Sequence, residues 1–179
     1  VLNSAFDSAG QRCSALRILC LQEDIADHMV AMIKGAMDEL RVDNPMELTT
    51  DVGPVIDAEA QGNLLAHIEK MKTAAKSYHQ IKLPENADKA TFVAPVLFEL
   101  DNLNQLQREV FGPVLHVVRY RAGELDSLID QINGKGYALT HGIHSRIDET
   151  VNHICNRIEA GNVYVNRNIV GAVVGVQPF

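Results

Sequence analysis

Short apolar runs alternate with longer amphipathic stretches along this chain, and that alternation predicts its fold class. Ala15 to Leu21 (ALRILCL) reads as a short buried strand. A helical pattern follows, with Ile25, Met29, Ile33 and Met37 at four-residue steps on one face. Asn44 and Pro45 break that pattern, and Asp51 to Asp57 (DVGPVID) reads as a loop. A second helix is expected from about Ala58 to Ser77. Thr91 to Leu100 looks extended, and Pro95 within it predicts an edge strand or a strand with a break. Val114 to Tyr120 (VLHVVRY), rich in β-branched residues, is the strongest strand candidate. Glu124 to Asn133 should form a helix that stops at the glycines of NGKG. A short strand over Gly142 to Ser145, a helix over Asp148 to Ile158 and a last strand over Asn162 to Asn166 complete the pattern. Strands alternating with helices predict an α/β fold, a largely parallel sheet flanked by helices, as one domain over residues 1–179.

Composition narrows the function classes. The 179 residues are 46% hydrophobic, enough to bury a sizeable core. A net charge of −7, from 16 basic and 23 acidic residues without a Lys/Arg cluster, argues against nucleic acid as a partner. Lys70, Lys72 and Lys76 follow a helical rhythm and read as a solvated face. No apolar run approaches the roughly 20 residues of a membrane span. The chain starts at Val1 with neither an initiating Met nor a signal-peptide pattern and stops abruptly at Phe179. It is therefore expected to be cut from within a longer cytoplasmic protein. Cys13, Cys20 and Cys155 match no zinc or disulfide spacing, and their odd count leaves at least one free thiol.

The sharpest local chemistry is Gly10-Gln11-Arg12-Cys13-Ser14. A thiol attacks carbonyl carbon only as thiolate, so a catalytic cysteine needs a cation or a base near it. Arg12 is such a cation, and Gly10 permits close backbone approach. Taken alone, a cysteine near a glycine is more often structural than catalytic. Cys20, in an apolar run, and Cys155, on a helix with Val151, Ile154 and Ile158, read as core residues. His141 and His144 lack a third ligand, so no metal site is expected. His116, His141 and His153 sit in no recognisable thiol-hydrolase context. No G-x-G-x-x-G or other phosphate-binding loop is present.

The segment FDSAGQRCSALR resembles the nucleophile segment of the aldehyde dehydrogenase superfamily. REVFGPVLHVVRY is similar to its E-x-F-G-P motif, and TDVGPVID, GYALTHGIHS and GNVYVNRNIVGAVVGVQPF are similar to further blocks in the family's order. The closer resemblance is to the glutamate semialdehyde (pyrroline-5-carboxylate) dehydrogenase branch found in bifunctional proline-utilization proteins. It implies the family's catalytic-domain fold, without its Rossmann-type NAD domain. It also implies Cys13 as nucleophile, Glu109 and Phe111 as NAD contacts, and Ser14 with Arg12 on the substrate side. The reaction implied is NAD-dependent oxidation of glutamate semialdehyde through a cysteine thioester. The main NAD domain, an oxyanion-hole Asn and a general-base Glu would lie upstream, in a missing N-terminal half of the same polypeptide. FAD would belong only to a separate proline dehydrogenase domain, and the parent would be a homo-oligomer. As isolated, the chain is expected to be inactive. Another aldehyde class, a non-catalytic assembly module and a thiol hydrolase remain as alternatives.

Overall fold

The computed structural model describes residues 1–85, 87–136, 138–171 and 175–176. Parts of two motifs, Tyr137 and residues 172–174 and 177–179, lie outside that set.

After a short helix α1 (Leu2–Phe6) come β1 (Ile18–Gln22), α2 (Glu23–Asp38), α3 (Ala58–Ala74), β2 (Ser77–Gln80) and β3 (Val96–Leu100). β4 (Val114–Tyr120), α4 (Leu125–Asn133), β5 (Thr140–Ile143), α5 (Asp148–Arg157) and β6 (Asn162–Val165) follow. The main sheet runs β1-β4-β3-β2, and β5 pairs with β6 in a second, two-stranded sheet. β1, β4 and β3 are mutually parallel, as are β5 and β6, and only β2 is antiparallel to its neighbour. The mostly parallel α/β fold expected from the sequence is thus present, divided between two sheets.

Several local expectations shift for physical reasons. α2 buries Ala26, Val30, Ile33 and Met37, whereas Ile25 is 51% exposed. Strict four-residue steps drift by about 40° each on a helix of 3.6 residues per turn. Mixed steps of four and three therefore hold the buried stripe. α3 starts where the Asp57 carboxylate accepts from the Ala60 N–H at 2.8 Å, and it ends at Ala74, before Ser77. Ser77 instead opens β2, a strand the sequence pattern did not announce. β3 is no edge strand: it lies between β4 and β2, and Val96, Leu97 and Phe98 have no exposed surface. Pro95 stands just before it, and the ladder begins with Val96, whose N–H donates to the Pro113 carbonyl at 3.0 Å. Cys155 is exposed, against its expected place in the core. Its neighbour Ile154 faces inward with Ile129, Ile143 and Ile158, and one residue on a helix is about 100° of rotation.

One buried carboxylate braces the main sheet. Glu99 of β3 accepts from Arg119 at 2.7 Å, Lys34 at 3.0 Å and Ser77 at 2.9 Å, joining β4, α2 and β2. Burial pushes its carboxyl up, but these donors outweigh it and hold the pKa down at about 2. The ion cluster therefore stays charged throughout the neutral range.

Candidate active site

The N-terminal segment reaches β1 through a tightly wound turn. Ser8, Ala9 and Gly10 have φ values of 55°, 53° and 64°, three successive left-handed residues of which only the glycine adopts that region without cost. The Ala15 N–H then donates to the Arg12 carbonyl at 3.1 Å, closing a turn with Cys13 and Ser14 at its centre. Cys13 is exposed on that turn, and Ser14 is buried at 5% exposure.

This segment touches every one of the other motifs. A Cβ at Gly10 would stand 2.1 Å from the Gly112 carbonyl oxygen, so the nucleophile turn and E-x-F-G-P meet backbone to backbone. The Ile56 N–H, in the DVGPVID loop, donates to the Gln11 side chain at 3.1 Å. Thr140 Oγ1 donates to the Ser14 carbonyl at 3.4 Å. The Ile169 N–H donates to Ser4 Oγ at 3.4 Å, bringing in the last motif.

Arg17, which the sequence reading passed over, joins the two chemical halves. Its Nη2 and Nη1 donate to the carbonyls of Arg12 at 2.7 Å and Ala15 at 2.8 Å, which flank Cys13 and Ser14. Its Nε lies 3.2 Å from Glu109 Oε1, and its Cζ stands 3.9 Å from the centre of the Phe111 ring. Glu109 and Phe111 therefore share one arginine. The signal was visible in ALRILCL, where a single cation interrupts an apolar strand pattern. Arg12 stands apart from this cluster: it is exposed, and its Nε donates to Ser8 Oγ at 2.9 Å.

Behind Arg17 lies a histidine pair, His116 buried and His67 half-buried. The His116 backbone N–H and ring Nδ1 both reach the Arg17 carbonyl, at 2.9 and 3.1 Å. A carbonyl only accepts, so Nδ1 carries the proton and Nε2 receives one from His67 Nε2, 3.0 Å away. Burial, then the neighbouring His67, holds the His116 pKa down at about 3, against the opposing effect of the Arg17 carbonyl. Because the folded value lies below the unfolded one near 6.5, the unfolded chain binds more protons in between. Stability is then fully present above about pH 6.5 and is lost as pH falls towards 3, by at most about 1.4 kcal/mol per unit for this group. Denaturant titrations from pH 7 to 4 should show that slope in the original chain and a flatter one in His116→Gln. Equal slopes in the two would remove His116 as its source.

The sequence signature of the aldehyde dehydrogenase family matches residues 1–179. The chain belongs to this family. It is similar to the bifunctional protein PutA of Klebsiella aerogenes, with 58% identity over 185 residues, covering 100% of this chain and 14% of that protein. A crystal structure of mutant proline utilization A from Bradyrhizobium japonicum superposes with a TM-score of 0.95 at 54% identity, over 99% of this chain and 18% of that one. The crystal structure of a Thermus 1-pyrroline-5-carboxylate dehydrogenase with bound NAD gives a TM-score of 0.87 at 33% identity, over 99% and 34%. This aldehyde dehydrogenase chain thus spans a small part of the PutA proteins it matches. Among the described residues, no helix is long and apolar enough to cross a membrane.

Proposed function

We propose that this aldehyde dehydrogenase chain supplies the nucleophile, and part of the cofactor contact, for NAD-dependent oxidation of L-glutamate 5-semialdehyde to glutamate in proline catabolism. The observation that carries the reading is the shared arginine. The exposed Cys13 turn and the Glu109–Phe111 pair are tied to one guanidinium, so thiol and cofactor-side residues are held in one frame. Similarity to PutA and to 1-pyrroline-5-carboxylate dehydrogenases favours this substrate over other aldehydes.

The Cys13 thiolate adds to the aldehyde carbon, giving a thiohemiacetal whose oxyanion can accept from backbone N–H groups. Carbon–hydrogen cleavage then leaves a thioester on Cys13. Attack by water breaks the carbon–sulfur bond, releasing the carboxylate, two protons and the thiolate. NAD, when bound, takes up the hydride. The residues present fit a nicotinamide riboside: Phe111 is 43% exposed, and the Glu109 side chain is 35% exposed with one oxygen in an ion pair with Arg17. Glu109 would receive the ribose hydroxyls and Phe111 would pack near the ring. Ser14 is assigned to the substrate's α-carboxylate, with the exposed Arg12 on the substrate side. A Rossmann-type domain, an oxyanion-hole Asn, a general-base Glu and the oligomer contacts would come from the rest of a PutA-length polypeptide.

The test is NADH formation by a PutA-length polypeptide carrying this sequence, with glutamate semialdehyde compared with an unsubstituted aliphatic aldehyde. A preference of at least about 10²-fold in kcat/KM for the amino-acid aldehyde is expected, since a site built to bind a polar group discriminates strongly against substrates that lack it. NADH formation from the aliphatic aldehyde alone would overturn the substrate assignment.

A further inference from the structure

We propose that Arg17 is a positioning residue for this reaction, setting Glu109 and Phe111 in register with the Cys13 turn; the proposal rests on the functional reading above. The guanidinium is a rigid planar fork whose donors leave in fixed directions. Here two of them grip the carbonyls of Arg12 and Ala15, so the peptide carrying Cys13 and Ser14 is bracketed from both ends. The Nε of Arg17 forms an ion pair with Glu109 Oε1 at 3.2 Å, and its Cζ stands over the Phe111 ring, 3.9 Å from the centre. A lysine ammonium has no planar face to stack and cannot serve these directions together.

The residue itself is clamped. Its side chain is only 12% exposed, and its carbonyl takes two donors from His116 on β4. Stability alone is a weak reason to place a guanidinium there. Buried ion pairs often contribute little against apolar side chains of similar size. What the arginine provides is geometry. One Glu109 oxygen is paired with the guanidinium while the carboxylate stays partly open, and Phe111 packs against the same group while much of the residue stays exposed. Arg17 touches no reacting atom, and its effect passes through Glu109 and Phe111.

The test uses a PutA-length polypeptide carrying this sequence, with Arg17→Lys, Arg17→Gln, Glu109→Gln and Arg17→Lys/Glu109→Gln assayed for KM of NAD and for kcat. Arg17→Gln should raise KM for NAD by about tenfold or more, as displacement of a contact residue does. Arg17→Lys, which keeps the charge without the fork, should raise it by about threefold. In the Glu109→Gln background, Arg17→Lys should change it by less than about twofold, because residues acting as one unit are not additive. If Arg17→Gln does not fold, the lysine variant and its double mutant decide the matter. KM for NAD unchanged in the folded Arg17 variants, or an undiminished effect of Arg17→Lys beside Glu109→Gln, overturns the proposal. Cys13→Ala is assayed alongside: persistent NADH formation there overturns the functional reading itself, an outcome independent of Arg17.

Discussion

Cys13→Ala in a PutA-length polypeptide is expected to lower aldehyde-dependent NADH formation at least about 10⁴-fold, the scale seen when a covalent nucleophile is removed. The melting temperature should hardly move, because Cys13 is exposed on a turn held by backbone and Arg17 bonds that do not involve its sulfur. The other two thiols supply the controls. Cys20 lies on β1 against the core, and burial pushes its pKa up to about 12, so at neutral pH it is a thiol and a poor nucleophile. Cys20→Ala should therefore spare activity and cost about 1–2 kcal/mol of stability through lost packing. Cys155 is exposed on α5 and belongs to none of the five motifs, and Cys155→Ala should be silent in both assays. Because both Cys13 and Cys155 face solvent, alkylation alone does not single out the nucleophile; loss of NADH formation does. Activity surviving in Cys13→Ala would leave a family fold whose chemistry runs elsewhere.

The fold class was legible because strand-length apolar runs and helix-length periodic ones alternate cleanly, and VLHVVRY became β4 residue for residue. The misplacements share a cause: tertiary neighbours decide where local pattern is ambiguous. Pro95 suggested an edge because a proline cannot donate to a ladder, yet here it stands one residue outside β3 and leaves the ladder intact. Ser77 to Gln80 has no apolar alternation, and its strand exists because β3 offers an edge to pair with. The candidate site divided in the same way. The motifs marked Cys13, Glu109 and Phe111 as separate points along the chain, but sequence carries no distances. The residue that joins them, Arg17, falls within a run read only as a strand. Arg12, picked out for standing next to the cysteine, directs its guanidinium to Ser8 instead.

Gly10→Ala should be the most damaging single-methyl change in the chain. Two penalties coincide at this position. The backbone sits at φ 64°, where a Cβ meets its own carbonyl and costs about 1–2 kcal/mol. The added methyl would also lie 2.1 Å from the Gly112 oxygen, 2.6 Å from its carbonyl carbon and 2.8 Å from the Ala5 oxygen. All three are backbone atoms, so no side chain can swing aside. Gly112 has little room to retreat, because a Cβ on it would already strike Leu64 of α3 at 2.3 Å. Relief must come from parting the Cys13 turn and the E-x-F-G-P segment. A loss of about 3 kcal/mol or more is expected, in the range reserved for strain at special backbone positions. A shift of about 1 Å between thiol and cofactor-side residues would lower kcat/KM by about 10²-fold even where the protein still folds. Gly62→Ala is the matched control. That glycine lies within α3 with no atom near its would-be Cβ, and the change should add about 0.5–1 kcal/mol of stability. Denaturant unfolding of the two variants, paired with NADH assays in the PutA-length polypeptide, separates a general intolerance of added methyls from a specific contact at Gly10. If Gly10→Ala proved as stable and active as Gly62→Ala, the two motifs would not meet backbone to backbone.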